Sequence, residues 1–295
     1  MKNGRTIVAA LLLSALLAPV TLAGAKIRIQ NNDGPNEGFN DPAAATPVGG
    51  NAGTTIGAQR LIAFQRAAEI WAGILDSDVE IVIDARFDPL ECDSTGAVLG
   101  SAGPRWIESD FPGAPVAATW YHGALVNRLA GEDRDPTTNE INARFNVNLG
   151  QPNCLPNRGW YYGLDNNHGT QIDLIVVLLH EFGHGLGFSE FVDSDTGEFF
   201  DGQVDAYASF LFDNTTGKRW SQMSNSERLQ SAVNDGQLVL DGPSVSAASA
   251  AFFTGVNGTR LTVNDPPSIA KSYVASRGTV GGPIGSGISG TFILA

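Results

Sequence analysis

The chain has 295 residues, with 18 Lys and Arg against 31 Asp and Glu, and a formal net charge of -13. Binding to a nucleic acid backbone depends on clustered basic residues, so this balance, without any basic cluster, argues against a nucleic acid partner. A hydrophobic fraction of 42% excludes a disordered polyelectrolyte, and 35 Gly with 15 Pro indicate a loop-rich fold rather than a helical bundle.

Residues 1–25 have the pattern of a secretory signal peptide. Lys2 and Arg5 form a basic start, an apolar run follows, and residues 23–25 (Ala-Gly-Ala) provide a small-residue cleavage site. The run is short for a membrane span and Pro19 interrupts it, and no later stretch approaches ~18 consecutive apolar residues. We therefore expect a secreted protein, extracellular or periplasmic, with no stable membrane association after the signal is removed.

The two cysteines are interpreted in the light of this export. Cys92 and Cys154 both lie in loop-like sequence, and an oxidising compartment favours a disulfide between them. The alternative is a pair of unpaired buried thiols. Neither cysteine belongs to a CxxC pair of the kind that binds metals, so both are interpreted as structural.

Four segments before residue 150 have a recognisable periodicity. Residues 58–74 carry apolar side chains at helical spacing, which predicts a long amphipathic helix near the N-terminus of the mature chain. Residues 79–85 alternate between apolar and polar side chains and predict a half-buried strand. Residues 116–120 and 141–147 are predicted to form two further strands.

The segment 170–187 predicts a helix that is buried in the core. Thr170 and Asp173 have the spacing of a capping box, and the residues that follow are apolar on nearly every side. Gly185 or Gly187 is placed to act as a left-handed cap at its end. Charged and imidazole groups inside such a helix require a functional explanation.

Those polar groups form an H-E-x-x-H pattern. His180 and His184 are four residues apart, so both imidazoles can point from one face of the helix at a single metal ion, for which zinc is the default. Glu181 lies about 100° around the helix, where it can act as a general base on water without binding the ion. The competing interpretation is a pair of core histidines that bond to carbonyl groups.

The segment 180–188 resembles the active-site helix of zincin metallopeptidases, and of metzincins in particular. In metzincins the motif extends as H-E-x-x-H-x-x-G-x-x-H, in which a glycine turns the chain towards a third ligand. Gly187 matches the glycine, and Glu190 stands where the family has its third histidine. The resemblance implies a zinc ion bound by His180, His184 and Glu190, because a carboxylate can also bind zinc.

The chain is also similar, over about half of its mature length, to secreted bacterial metallopeptidase-like proteins, many of which carry a protease-associated (PA) domain. The similar stretches are 37–59, 160–191, 205–212 and 220–241. This comparison suggests a rival third ligand, Asp205, since gluzincins and aspzincins take theirs from a downstream helix. Accordingly, a hairpin is predicted over 191–200 and a helix over 204–212, opened by Asp205.

Two further features leave alternatives open. Asp193, Asp195 and Asp201 surround a turn at Gly197 and suggest a calcium ion, but their spacing does not match an EF-hand loop and a hairpin turn also accounts for them. The glycine-rich segment 266–295 is expected to be separate from a catalytic domain over 26–265. It is either a terminal strand or the start of a truncated PA-type domain.

Together these patterns predict an α+β protein with a zincin-like fold, in which a mixed sheet lies over the long helix and the buried H-E-x-x-H helix. The expected function is a secreted zinc-dependent endopeptidase that acts on protein or peptide substrates. Two alternatives remain: a non-catalytic secreted binding module with a structural metal or none, and a metallohydrolase with another substrate, since the motif determines the water chemistry and not the substrate.

Overall fold

The computed structural model describes residues 24–234 and 236–242 and the backbone of residues 261 and 262. The α-helices of this part are α1 (Ile56–Ala72), α2 (Gly123–Ala130), α3 (Leu174–Leu186) and α4 (Asn225–Ala232). Its strands are β1 (Ile27–Asn31), β2 (Ile81–Asp88), β3 (Gly100–Pro104), β4 (Ile107–Glu108), β5 (Thr119–His122), β6 (Ile141–Asn146), β7 (Trp160–Tyr161), β8 (Ile172–Asp173), β9 (Val204–Asp205), β10 (Leu211–Asp213), β11 (Lys218–Arg219), β12 (Leu238–Leu240) and β13 (Leu261–Thr262). The protein is therefore of mixed α+β class.

Two described sheets have four strands each: one has the order β11-β10-β12-β13, and the one with the longer strands has the order β1-β2-β6-β3. In this second sheet β1, β2 and β6 lie side by side. The first three are parallel, with Ile83 of β2 opposite Ile29 and Ile141, whereas β3 runs antiparallel to β6 at the edge. The predicted strands over 79–85 and 141–147 correspond to β2 and β6. The strand predicted over 116–120 corresponds to β5, which begins three residues later.

Strand β2 is buried on both faces, so the prediction of a half-buried strand is wrong. Its second face carries Val82 and Asp84, which are buried, as Ile83 is on the first. The Asp84 carboxylate accepts hydrogen bonds from Arg105 and from Asn139, the latter at 2.8 Å. An alternating pattern shows that every second side chain is polar, but it does not show whether that side chain faces water or a buried polar partner. Here the partners of Asp84 come from loops that are distant in sequence.

Helix α1 corresponds to the helix predicted over 58–74. Thr55 caps it by accepting a hydrogen bond from the Ala58 amide at 3.1 Å, and its inner side packs Phe64 and Trp71 into the main core. It is not the first element of the described chain, because strand β1 comes before it in sequence. It also ends earlier than predicted, which leaves Ile74 65% exposed.

Helix α3 packs against α1, β3 and β6. Asp173 is its N-cap, accepting hydrogen bonds from the amides of Ile175 and Val176, so the capping box predicted from Thr170 is wrong. Gly187 ends the helix with a φ of +123°, a conformation that favours glycine. Gly185 lies inside the helix instead, where an added Cβ would come within 2.5 Å of the Ile141 side chain.

The chain after α3 builds a second hydrophobic cluster, which includes Tyr207, Trp220 and Met223. Phe188 packs against both this cluster and the main core. The predicted hairpin is present, with a bridge between Val192 and Phe199. The helix predicted over 204–212 is wrong: residues 204 and 205 form β9, which pairs with β5, and a short 3-10 turn and β10 follow.

Cys92 and Cys154 lie at disulfide distance, with their Cα atoms 5.1 Å apart. The signal peptide predicted over 1–25 lies outside the described residues except for Gly24 and Ala25, and the segment 266–295 lies wholly outside them. In the part of the chain that can be described, no helix has both the length and the apolar character needed to cross a bilayer.

Candidate metal centre

Helix α3 places His180 and His184 one turn apart on the same face. Their Nε2 atoms are 3.0 Å apart, and the two rings are nearly perpendicular. Two nitrogens that bind one tetrahedral zinc ion at about 2.0–2.1 Å lie about 3.3 Å apart, so the observed spacing is close to that of a shared ion. His180 and His184 are half-buried, while the intervening Glu181 and Phe182 are buried.

A hydrogen bond determines which nitrogen of His184 is available. Its Nδ1 lies 2.9 Å from the carbonyl oxygen of Phe188, which can only accept a hydrogen bond. Nδ1 therefore carries the proton and leaves a lone pair on Nε2, the atom that faces His180. Burial also lowers the pKa of His184, which favours the neutral imidazole that a metal ion requires.

Glu181 is held on the sheet side of the helix. Its Oε2 accepts a hydrogen bond from the Ala102 amide in strand β3 at 2.9 Å. Burial raises the pKa of this carboxyl group, while the nearby His180 and the Ala102 bond act against the increase. A carboxyl group with a raised pKa is suited to take up a proton and release it near neutral pH.

The two carboxylates predicted as alternative third ligands both accept hydrogen bonds from backbone amides. Glu190 Oε2 accepts from the Val192 amide, and the two oxygens of Asp205 accept from Phe191 at 3.0 Å and from Ala208 at 2.7 Å. Burial raises the pKa of Asp205 to about 6. Over the described residues, no three His, Cys, Asp or Glu side chains form a group that could hold a metal ion.

The structure thus brings the two histidines together and leaves both carboxylates outside that pair. It does show that Glu190 and Asp205 both lie near Tyr207. Both raise the pKa of the buried Tyr207 hydroxyl through their negative charge, after burial as the main cause. The segment that follows α3 therefore carries two acids and a phenol in one buried region.

The acids proposed for calcium have a simpler role in the hairpin. Asp193 Oδ1 accepts hydrogen bonds from the amides of Asp195 and Thr196 at 2.9 and 2.8 Å, which closes the turn. These bonds lower the pKa of Asp193. Asp201 lies outside that turn, with a φ of +50°. A hairpin turn accounts for Asp193 without a cation.

One residue near the centre was missed by the sequence analysis. His122 is fully buried at the end of β5, and its Nε2 lies 2.8 Å from the Ser189 hydroxyl. Its ring stacks on Phe191, with centroids 4.6 Å apart. Burial lowers the pKa of His122 to about 3, and the nearby His184 adds to the decrease. His122 belongs to no spaced motif, and the strand predicted there ended at Trp120, so no local signal indicated it.

No known family model, no curated protein and no solved structure matches this chain. The chemistry of the centre must therefore be inferred from its own donor atoms. Two imidazole nitrogens at the spacing of a shared ion, with a buried carboxylate one residue away, fit a zinc-type ion that keeps open positions.

Proposed function

We propose that the protein is a secreted zinc-dependent endopeptidase with a zincin-like fold. His180 and His184 bind the ion, Glu190 completes the ligand set with Asp205 as its rival, and Glu181 is the general base. The observation that carries the proposal is the pair of Nε2 atoms 3.0 Å apart, beside a buried carboxylate that the sheet edge orients. A zinc ion held there supplies Lewis-acid chemistry that makes water nucleophilic near neutral pH.

The residues of the chain supply the remaining chemistry. Glu181, as a carboxylate, takes the proton from the attacking water and then passes it to the amine that leaves the cleaved peptide bond. The hydrogen bond from Ala102 keeps one carboxylate oxygen in place during both transfers. The hydrogen bond from His184 Nδ1 to the Phe188 carbonyl fixes the ring, so that Nε2, the nitrogen that would bind the ion, is directed away from that carbonyl.

A peptide substrate is favoured over other substrates by the position of β3. Within the described residues this strand has a neighbour on one side only, β6. The Ala102 amide donates to Glu181 and not to β6, so it lies on the outer edge of the strand. The Ala102 amide is occupied by Glu181 and Pro104 has no N–H, so an extended peptide could add to this edge mainly by donating to its carbonyl groups, with its scissile bond close to Glu181.

The test combines metal analysis with hydrolysis. We expect one zinc per chain in the purified mature protein, and casein cleavage that a chelator abolishes and added zinc restores. Zinc without cleavage would favour the binding-module alternative with a structural metal, and a structural site should have four protein ligands. Zinc together with hydrolysis of small esters but no cleavage of any peptide would favour the other metallohydrolase. Absence of zinc after reconstitution would contradict all metal-dependent functions.

A further inference from the structure

His122 and Ser189 form a hydrogen-bonded connection between strand β5 and the end of helix α3. The Ser189 hydroxyl lies 3.2 Å from the carbonyl oxygen of His184, to which it can only donate. Its single proton is used in that bond, so Ser189 must accept from His122 at its other contact, 2.8 Å from Nε2. The order of donors is therefore His122 Nε2–H to Ser189, and Ser189 O–H to the His184 carbonyl.

This order also determines the tautomer of His122. A neutral imidazole has one N–H, and here it is on Nε2, which leaves a lone pair on Nδ1. Nδ1 is buried and has no hydrogen-bond partner in the described structure. Packing against Phe191 does not need a nitrogen at either position, because a phenyl ring would make the same contact. Within the described residues, the hydrogen bond to Ser189 is the one hydrogen bond of the ring, and a phenylalanine could not make it.

This connection contacts the proposed ligand His184 and involves the residues on either side of the proposed ligand Glu190. The His184 carbonyl belongs to a ligand, and Ser189 directly precedes Glu190 in the turn after Gly187. On the other side, the ring of His122 contacts Phe191, which directly follows Glu190. The same turn also receives the bond from His184 Nδ1 to the Phe188 carbonyl. The residues on both sides of Glu190 are thus held by β5 and by His184.

We propose that His122 and Ser189 are positioning residues for the metal centre. Their hydrogen bonds hold the turn 188–191, which carries Glu190, against the end of α3 that carries His184. This inference rests on the proposed function and goes further, because neither residue occupies a defined position of the H-E-x-x-H motif or of its extension. It assigns a role to a strand that is more than fifty residues from the motif in sequence.

The experiment compares three substitutions with the wild-type protein. His122→Phe keeps the contact with Phe191 and removes the donor, Ser189→Ala removes the acceptor, and His122→Gln restores a donor near the position of Nε2. The matched control is His168→Gln, since His168 is a half-buried histidine outside the centre whose ring makes an exposed hydrogen bond to the nearby Gln171 carbonyl. The measurements are the zinc dissociation constant by chelator competition, the visible spectrum of the cobalt-substituted protein, kcat and KM on casein-derived peptides, and the Tm of metal-free protein.

We expect His122→Phe and Ser189→Ala to weaken zinc binding by about 10- to 100-fold, as is typical for partners that orient metal ligands. The cobalt spectrum should change and kcat should fall more than KM rises. The metal-free Tm should remain close to that of the wild type. His122→Gln should recover most of the zinc affinity, and His168→Gln should match the wild type in all four measurements.

The proposal is overturned if Ser189→Ala and His122→Phe bind zinc within twofold of the wild type with an unchanged cobalt spectrum. It is also overturned if metal-free stability falls in parallel with zinc affinity, since that result indicates a purely structural role. If His122→Phe does not fold, Ser189→Ala decides the question alone. A wild-type protein that neither binds zinc nor cleaves peptides would refute the proposed function first, and the positioning role with it.

Discussion

Helix α3 and the segment that follows it, residues 188–213, satisfy their buried polar groups in opposite ways. In the helix, the backbone amides bond to carbonyls one turn earlier, so the amides of the helix do not need its side chains, and Glu181 accepts instead from the Ala102 amide of β3. In the segment, buried carboxylates take the place of backbone carbonyls as acceptors. Glu190 accepts a hydrogen bond from the Val192 amide, and Asp205 accepts from two amides. Glu181 is the better candidate for catalysis because it lies on the helix that carries both histidines, directly after His180, whereas Asp205 is occupied by two amides.

The largest effect is expected for the carboxylate in the helix. Glu181→Gln keeps the size of the side chain but cannot accept the proton, so hydrolysis should fall by about 10³-fold while zinc remains bound. The measurement is kcat/KM on a peptide together with metal content. Glu69→Gln, an exposed position on α1, is the control. Full activity in Glu181→Gln would show that the general base lies elsewhere.

The next prediction separates the two carboxylates of the segment. Asp205→Asn places an amide nitrogen against one of two backbone N–H groups, so the free energy of unfolding should fall by about 2 kcal/mol. Glu190→Gln can still accept from Val192 and should remain folded, yet lose about 100-fold in zinc affinity, or about 3 kcal/mol. Urea unfolding and chelator competition on both variants provide the measurements.

The reverse pattern would exchange the assignments. If Asp205→Asn lost more zinc affinity than Glu190→Gln while both variants kept comparable stability, Asp205 would be the ligand and Glu190 the structural acid. The helix and the segment would then differ less in which carboxylates are available for chemistry, because Asp205 would bind the metal while also accepting hydrogen bonds from two amides.

The third prediction concerns pH and the strand that contacts the segment. The pKa of His122 is lowered from 6.5 to about 3, so folding favours its neutral form. Its contribution to stability is complete above pH 6.5 and is lost progressively as the pH falls towards 3. Between pH 6.5 and pH 5 the loss is about 2 kcal/mol.

Urea unfolding of metal-free protein at several pH values measures this loss. His122→Phe cannot be protonated, so its unfolding free energy should decrease by about 2 kcal/mol less than that of the wild type over the same range. Equal acid sensitivity of the two proteins would mean that His122 is accessible to protons in the folded state and is not as buried as the structure places it.

The smallest effect is expected at the boundary between the two regions. Gly187 has a φ of +123°, and Gly187→Ala would force a non-glycine residue into that conformation at a cost of about 1 kcal/mol or more. Space is not the obstacle, since the nearest atom to an added Cβ is 3.7 Å away. Thermal unfolding measures the cost, and Gly217→Ala, at φ +67° in open space, is the control for positive φ away from the centre.

The same contrast explains which sequence predictions agree with the structure. Helices and strands whose pattern repeats over many residues, such as α1, α3 and β6, lie where periodicity placed them. Asp205 was expected to open a helix and instead lies in β9, because its partners are a strand 85 residues earlier and two amides across a turn. Such partners leave no trace in the spacing of nearby residues.

The sequence by itself determined that His180 and His184 share one face of a helix, that Glu181 lies about 100° around it, and that a glycine at 185 or 187 ends it. Each of these follows from the 3.6-residue period and from backbone dihedral angles, which are local properties. Only the tertiary structure decided that β3 holds Glu181, that Glu190 and Asp205 bond to amides, and that His122 meets Ser189. Those contacts join residues far apart in the chain, and burial, which sets their pKa values, exists only once the core has formed.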